Sequence, residues 1–167
     1  TRIPTLLGGT INDVAVPGDY DNDGFTDLFV SGLSATGRVS RLYRNLGSGT
    51  FTDSQIALPA IERGEAVVWG DFNNDNYLDL ALGGPLGGTN VIQILRNNSA
   101  NSFTRVAIIP TGTTYNSRTA WGDFDQDGDL DIVIAASGAA LLYWNTGAES
   151  FTNSGQSLVA AGDYGAV

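Results

Sequence analysis

Between Trp121 and Ile134 the chain reads WGDFDQDGDLDIVI, five aspartates within nine residues followed at once by an apolar run. Asp123, Asp125, Asp127 and Asp131 stand at relative positions 1, 3, 5 and 9, with Gly128 at position 6. The same arrangement occurs twice more, as GDYDNDGFTDLFV from Gly18 to Val30 and as WGDFNNDNYLDLAL from Trp69 to Leu82. Carboxylates crowded in this way repel one another unless a cation lies among them. Hard oxygen ligands on a short loop with a glycine at its sharp bend are what Ca²⁺ takes. The rest of the chain must therefore be a scaffold that presents three such loops, each leading into apolar sequence.

The loops are the fixed points of a repeat. Gly18, Gly70 and Gly122 open them at intervals of 52 and 52 residues, and a Phe-Thr pair recurs at Phe51, Phe103 and Phe151, at intervals of 52 and 48. A third marker precedes each pair: Arg41–Asn45, Ile94–Asn97 and Leu142–Asn145. Markers in one order at one period define a tandem array of supersecondary units. Each unit reads as four strands. The first runs into the loop, as Ala66–Trp69 does, and the second leaves it as Leu28–Val30, Leu80–Leu82 or Ile132–Ile134. Those second strands are continuously apolar rather than alternating, which predicts cover on both faces. The third strand ends at the Asn marker; the fourth starts at Phe-Thr and is expected to end near Leu58, Ile109 or Val159. Helical periodicity longer than a turn is absent. Four short antiparallel strands in about 50 residues make a unit the size of a propeller blade. The expected fold is all-β, with blades at 11–59, 60–110 and 111–160. Residues 1–10 look like Thr104–Thr113 and are expected to be the outer strand of a preceding blade, with 161–167 the start of a further one. On that phasing Gly162-Asp163-Tyr164 is a chance look-alike and not a fourth loop.

GDYDNDGFTDLFVSG, WGDFNNDNYLDLALGG and WGDFDQDGDLDIVIAASG resemble FG-GAP/VCBS repeats, the blades of integrin α-subunit propellers and of many secreted bacterial proteins. The resemblance implies a Ca²⁺ site in each loop, with side-chain ligands at positions 1, 3, 5 and 9 and a backbone carbonyl at 7. The first loop would use Asp19, Asp21, Asp23 and Asp27 with the Phe25 carbonyl, and the third Asp123, Asp125, Asp127 and Asp131 with the Asp129 carbonyl. The second departs from the pattern: Asp71, Asn73, Asp75 and Asp79 with the Tyr77 carbonyl, and Asn76 in place of the bend glycine. Asn tolerates positive φ better than most residues, so the turn is expected to survive. One ligand charge is lost, and this site is expected to bind most weakly. An EF-hand begins similarly but needs a bidentate Glu at position 12 and flanking helices. Position 12 here is Val30, Leu82 or Ile134, each inside an apolar strand.

Composition narrows the function. The net charge of −10 is concentrated: the loops hold four, three and five acids, twelve of the 18, leaving six against eight arginines. No basic stripe favours nucleic acid, and no apolar run approaches a membrane span. The chain has no Cys, His or Met and no Lys, all eight basic residues being Arg, so disulfides and Cys/His zinc sites are excluded. The usual nucleophile and base pairings are lacking too, so no enzymatic activity is expected. Trp69, Trp121, Trp144, Tyr43, Phe51, Phe103 and Phe151 could form a sugar-stacking platform, but their repetition argues for core packing. Arg41, Arg44 and Arg96 are read as solvated strand ends rather than a grip for an acidic ligand. Asn97-Asn98-Ser99 matches a glycosylation acceptor. The expected role is adhesion, or binding of a protein or glycan ligand, outside the cell, where millimolar Ca²⁺ fills modest sites. The segments 31–40, 83–90 and 111–117, Gly/Ser/Thr-rich and variable, are expected to help form the ligand face. The rivals are a fibre subunit associating head to tail through open blade faces and, less favoured, a Ca²⁺-assisted lyase using Tyr and Arg.

Overall fold

The computed structural model describes residues 11–35, 37–61, 66–100, 102–112, 118–136 and 139–159. The expected flanking strand at 1–10, the further blade at 161–167 with Gly162-Asp163-Tyr164, and most of the segment 111–117 lie outside the described residues. Among the described residues twelve strands form three antiparallel four-stranded sheets, each in sequence order. The first contains β1 (Ile11–Gly18), β2 (Asp27–Ser34), β3 (Gly37–Asn45) and β4 (Phe51–Asp53). The second contains β5 (Val67–Gly70), β6 (Asp79–Leu86), β7 (Thr89–Asn97) and β8 (Phe103–Gly112). The third contains β9 (Arg118–Gly122), β10 (Asp131–Ala136), β11 (Ala139–Asn145) and β12 (Phe151–Val159). No helix long and apolar enough to cross a membrane occurs among the described residues.

Turn chemistry fixes the registers. In the second sheet Leu86 pairs with Thr89 across Gly87 and Gly88, both at positive φ (60° and 86°), the two-residue turn that matches strand twist. At the other end of the sheets the third strand reaches the fourth through a turn repeated three times. The N–H groups of Leu46, Asn98 and Thr146 donate to the carbonyls of Thr50, Ser102 and Ser150 at 2.7, 2.8 and 2.9 Å. The acidic loops join first strand to second and so lie at this same end, opposite the short hairpins.

The sheets pack face to face. Phe29 and Leu42 of the first meet Leu80, Leu82 and Leu95 of the second. Ala81, Ile92 and Ile94, on the second sheet's other face, meet Ile132 and Ile134 of the third. Among the described residues only the middle sheet is therefore buried on both sides: β6 is fully buried from Asp79 to Gly83, whereas β2 alternates. Trp69 packs edge-on to Phe29 at 6.5 Å, and Trp121 stacks on Phe72 at 6.1 Å, with Phe103 and Phe151 completing the two aromatic groups. Trp69, Trp121, Phe103 and Phe151 are thus core and interface side chains, not a platform.

Glycine makes this approach possible. A Cβ on Gly18 would lie 2.7 Å from the Trp69 indole, and one on Gly70 2.5 Å from Trp121. Gly18 and Gly70 thus each seat the tryptophan of the following sheet.

Two expectations are corrected. The fourth strand of the first blade was to reach Leu58, but β4 stops at Asp53. The Asp53 carboxylate accepts the Gln55 N–H at 2.8 Å and Gln55 takes φ 61°, turning the chain out of the ladder. The segment then carries Ile56, Leu58 and Ile61 against the apolar cluster between the first two sheets, where Ile61 is fully buried. The segments 31–40 and 83–90, read as connectors on a ligand face, are mostly strand. β2 runs to Ser34 and β3 starts at Gly37, while β6 runs to Leu86 and β7 starts at Thr89. Gly83 and Gly84 serve packing: a Cβ on Gly83 would stand 2.6 Å from that of Ala66, and one on Gly84 3.0 Å from that of Ile61.

Candidate metal centre

The three loops repeat one hydrogen-bond pattern, and every carboxylate in the ligand positions accepts from the backbone or faces a cation. Position 1 braces the bend with both oxygens. Asp19 accepts the N–H of Asp23 and Gly24 (3.2 and 2.9 Å), Asp71 those of Asp75 and Asn76 (3.0 and 2.8 Å), and Asp123 those of Asp127 and Gly128 (3.1 and 3.2 Å). Position 5 accepts the N–H of position 7: Asp23 from Phe25, Asp75 from Tyr77, Asp127 from Asp129. Gly24, Asn76 and Gly128 at the bend take φ of 86°, 70° and 96°, so Asn76 does hold the turn that glycine holds elsewhere. Position 4, which sequence reading passed over, is also left-handed at Asn22, Asn74 and Gln126.

Position 9 is the buried keystone. One oxygen of Asp27, Asp79 and Asp131 accepts the N–H of Tyr20, Phe72 and Phe124, at 3.1, 3.1 and 2.9 Å. The other accepts the N–H of Asn45, Asn97 and Asn145, at 2.8, 2.7 and 2.9 Å. Burial outweighs these bonds at Asp79, whose pKa is pushed up to about 7, and raises that of Asp27 in the same way.

The Asn markers, read from sequence only as strand ends, turn out to join loop to loop. Asn97 donates its amide to Leu78 O of its own loop and to Tyr20 O of the preceding one, at 3.1 and 2.8 Å. Asn145 does the same with Leu130 O and Phe72 O, at 3.3 and 2.8 Å. Only the recurrence of Asn at this place hinted at it. With its amide buried and committed, Asn97 is closed to glycosylation in the folded chain. Position 4 adds a second link: Asn22 donates to Asn76 O at 2.7 Å, and Asn74 to Asp129 Oδ1 at 2.8 Å.

In the first loop, Asp19, Asp21 and Asp27 each bring a carboxylate oxygen within 4.8 Å of the others, as Asp123, Asp125 and Asp131 do in the third. Asp21 is the most poorly satisfied. Its side chain is 8% exposed, its Oδ1 is buried with no hydrogen-bond partner, and desolvation raises its pKa despite Arg44 nearby. In the second loop Asn73 donates to Asp75 at 3.0 Å, an amide dipole in place of the missing carboxylate. The position-7 residues divide: the Phe25 ring lies exposed against Gly47, Tyr77 is half-buried, and the Asp129 carboxylate bonds to Asn74. A cleft of about 290 Å³ beside the second and third loops is lined by Phe72, Asn73, Asp129, Asn145 and Glu149 among others.

The arginines at the strand ends are partly exposed, as expected, and are ion-paired as well. Arg41 pairs with Asp53 at 3.2 Å, Arg96 bridges to Glu149 of the third sheet, and Arg44 reaches Asp21 and Asp23 of its own loop. Acids near each guanidinium draw it down onto the surface.

The model for the FG-GAP-like repeat matches residues 19–82, 86–134 and 123–167, and that for the FG-GAP repeat matches 63–108. Comparison with curated proteins gives no match. Three four-stranded sheets in tandem, each opening on an acidic loop that begins at one of these glycines, with family matches along the chain, place it in the FG-GAP repeat family.

Proposed function

We propose that the chain is a calcium-binding propeller module of a secreted or cell-surface protein, its ions structural and its role adhesion or the binding of a protein or glycan. The observation that carries this reading is the orphaned, buried Oδ1 of Asp21 in a loop whose acids converge. A carboxylate buried without a partner is costly, and a divalent ion satisfies it. The donors fit a hard cation: carboxylate and amide oxygens on a loop held in shape by its own backbone bonds, with no sulfur or imidazole. Asp19, Asp21, Asp23 and Asp27 would hold the ion in the first loop; Asp71, Asn73, Asp75 and Asp79 in the second; Asp123, Asp125, Asp127 and Asp131 in the third. The backbone carbonyls of Phe25, Tyr77 and Asp129 are the further ligands proposed. When bound, Ca²⁺ supplies charge neutralisation, which locks each loop and, through Asn97 and Asn145, its neighbour. Millimolar calcium outside cells suits such sites. The reading is non-enzymatic: the chain has no Cys, His or Lys for the usual nucleophile and base pairings, and Arg41, Arg44 and Arg96 are engaged in ion pairs.

Calorimetric titration of the calcium-depleted chain should give three bound ions and a rise in melting temperature that EGTA reverses. Superimposable melts with and without EGTA would sink the proposal.

A further inference from the structure

The three loops differ in one respect that ligand type does not describe. Arg44 places Nε 2.6 Å from Asp21 Oδ2, and its Nη2 donates to Asp23 Oδ2 at 2.9 Å. A guanidinium thus rests on positions 3 and 5, two of the four side chains that would hold the ion. The residues standing before the Asn marker in the other sheets are Arg96 and Trp144. Arg96 turns the other way, to Glu149 and Asn98, and Trp144 carries no charge. The cause lies in the neighbouring turn. Glu149, four residues after Asn145, gives Arg96 an acid in the following sheet; the residue four after Asn97 is the uncharged Asn101. Without an acid ahead, Arg44 has its nearest carboxylates in its own loop.

The fit is incomplete. Nε lies close to Asp21 without hydrogen-bond alignment, and Asp21 Oδ1 keeps no partner. The Arg44 side chain as a whole is also 43% exposed. We infer that Arg44 is a built-in counter-cation of the first loop, competing with the divalent ion for Asp21 and Asp23 and making this site the weakest of the three. The inference rests on the calcium reading above. It reverses the ranking that ligand charge alone gives, in which the second loop is last. A cation already on two ligands must be displaced or held beside the ion as a like charge, and either lowers affinity.

The test is Ca²⁺ titration by calorimetry of the depleted full chain, wild type against Arg44→Gln, Arg44→Lys and Arg96→Gln, each checked for fold by circular dichroism. Arg44→Gln should tighten the weakest site by about tenfold; Arg44→Lys, which keeps the charge but not the fork, should tighten it less. Arg96→Gln should leave all affinities in place. Asp19→Asn added to Arg44→Gln should remove the tightened site, assigning it to the first loop. Unchanged affinities in a folded Arg44→Gln chain that still binds three ions, or a site that weakens, would overturn this inference alone. A folded wild-type chain that binds no Ca²⁺ would overturn the calcium reading with it.

Discussion

Asn145 shows how much of a repeat can hang on one amide. Its side chain donates to Phe72 O of the second loop and Leu130 O of the third, its carbonyl oxygen accepts from Gly147, and its backbone N–H reaches Asp131. Asn145→Ala leaves these buried acceptors bare and should cost about 2–3 kcal/mol in urea denaturation. Asn45→Ala, whose amide donates among the described residues only to Thr26 O, should cost about 1 kcal/mol. Equal losses at the two positions would show that the link between loops contributes nothing. Asp79 supports a prediction of a different kind. Its folded pKa is about 7 against 3.8 unfolded, so the stability linked to its protonation is fully present below about pH 4 and lost as pH rises through 7. Asp21 and Asp27 are raised too and act in the same direction, while the Phe25 N–H first of all holds Asp23 low. The calcium-depleted chain should therefore melt at a lower temperature at pH 8 than at pH 5, and Asp79→Asn should flatten that slope. A melting temperature that rises with pH would contradict it.

At the scale of the element, the boundaries set by local chemistry were legible and those set by a neighbour were not. The loops, the strands leaving them and the ends of β3, β7 and β11 at Asn follow from a period that any one copy repeats. The early end of β4 and the path of Arg44 depend on what the next sheet offers: an apolar seam for Ile56, Leu58 and Ile61 in the one case, no acid in the other. A repeat read as an average hides such differences, because they arise where copies disagree. The loop ligands were named from a resemblance; their backbone bonds, which give each carboxylate a second task, leave no trace in composition. The interface glycines give the sharpest check on how sheets meet. Gly70→Ala drives a methyl into Trp121 at 2.5 Å and should cost about 1–3 kcal/mol by urea denaturation. Gly122→Ala meets only the ring of Phe124, which has solvent to swing into, and should cost clearly less. Equal costs would mean that the tryptophan seat is not what the glycine serves.

For the whole molecule, what matters is how three sheets that touch only in series share stability. In such arrays each unit is supported by its own contacts and those of its neighbours. The middle sheet has two neighbours and the third, among the described residues, has one. The loop end adds a polar chain along the array: Asn22 to the second loop, Asn74 to the third, with Asn97 and Asn145 returning in the opposite sense. A change at one loop should therefore reach the next through bonds that do not pass through the apolar core. Asn74→Ala removes the link to Asp129 while leaving the interface of Phe72, Trp121 and Phe151 intact. Followed by hydrogen exchange in saturating Ca²⁺, this variant should exchange faster in β10 and β11, by about tenfold for a loss near 1.4 kcal/mol. Exchange in β2 and β3, one sheet further away, should be unchanged. Uniform acceleration in all three sheets would mean that the array opens as one cooperative body, and no acceleration would mean that the bond from Asn74 to Asp129 does not help to join the sheets.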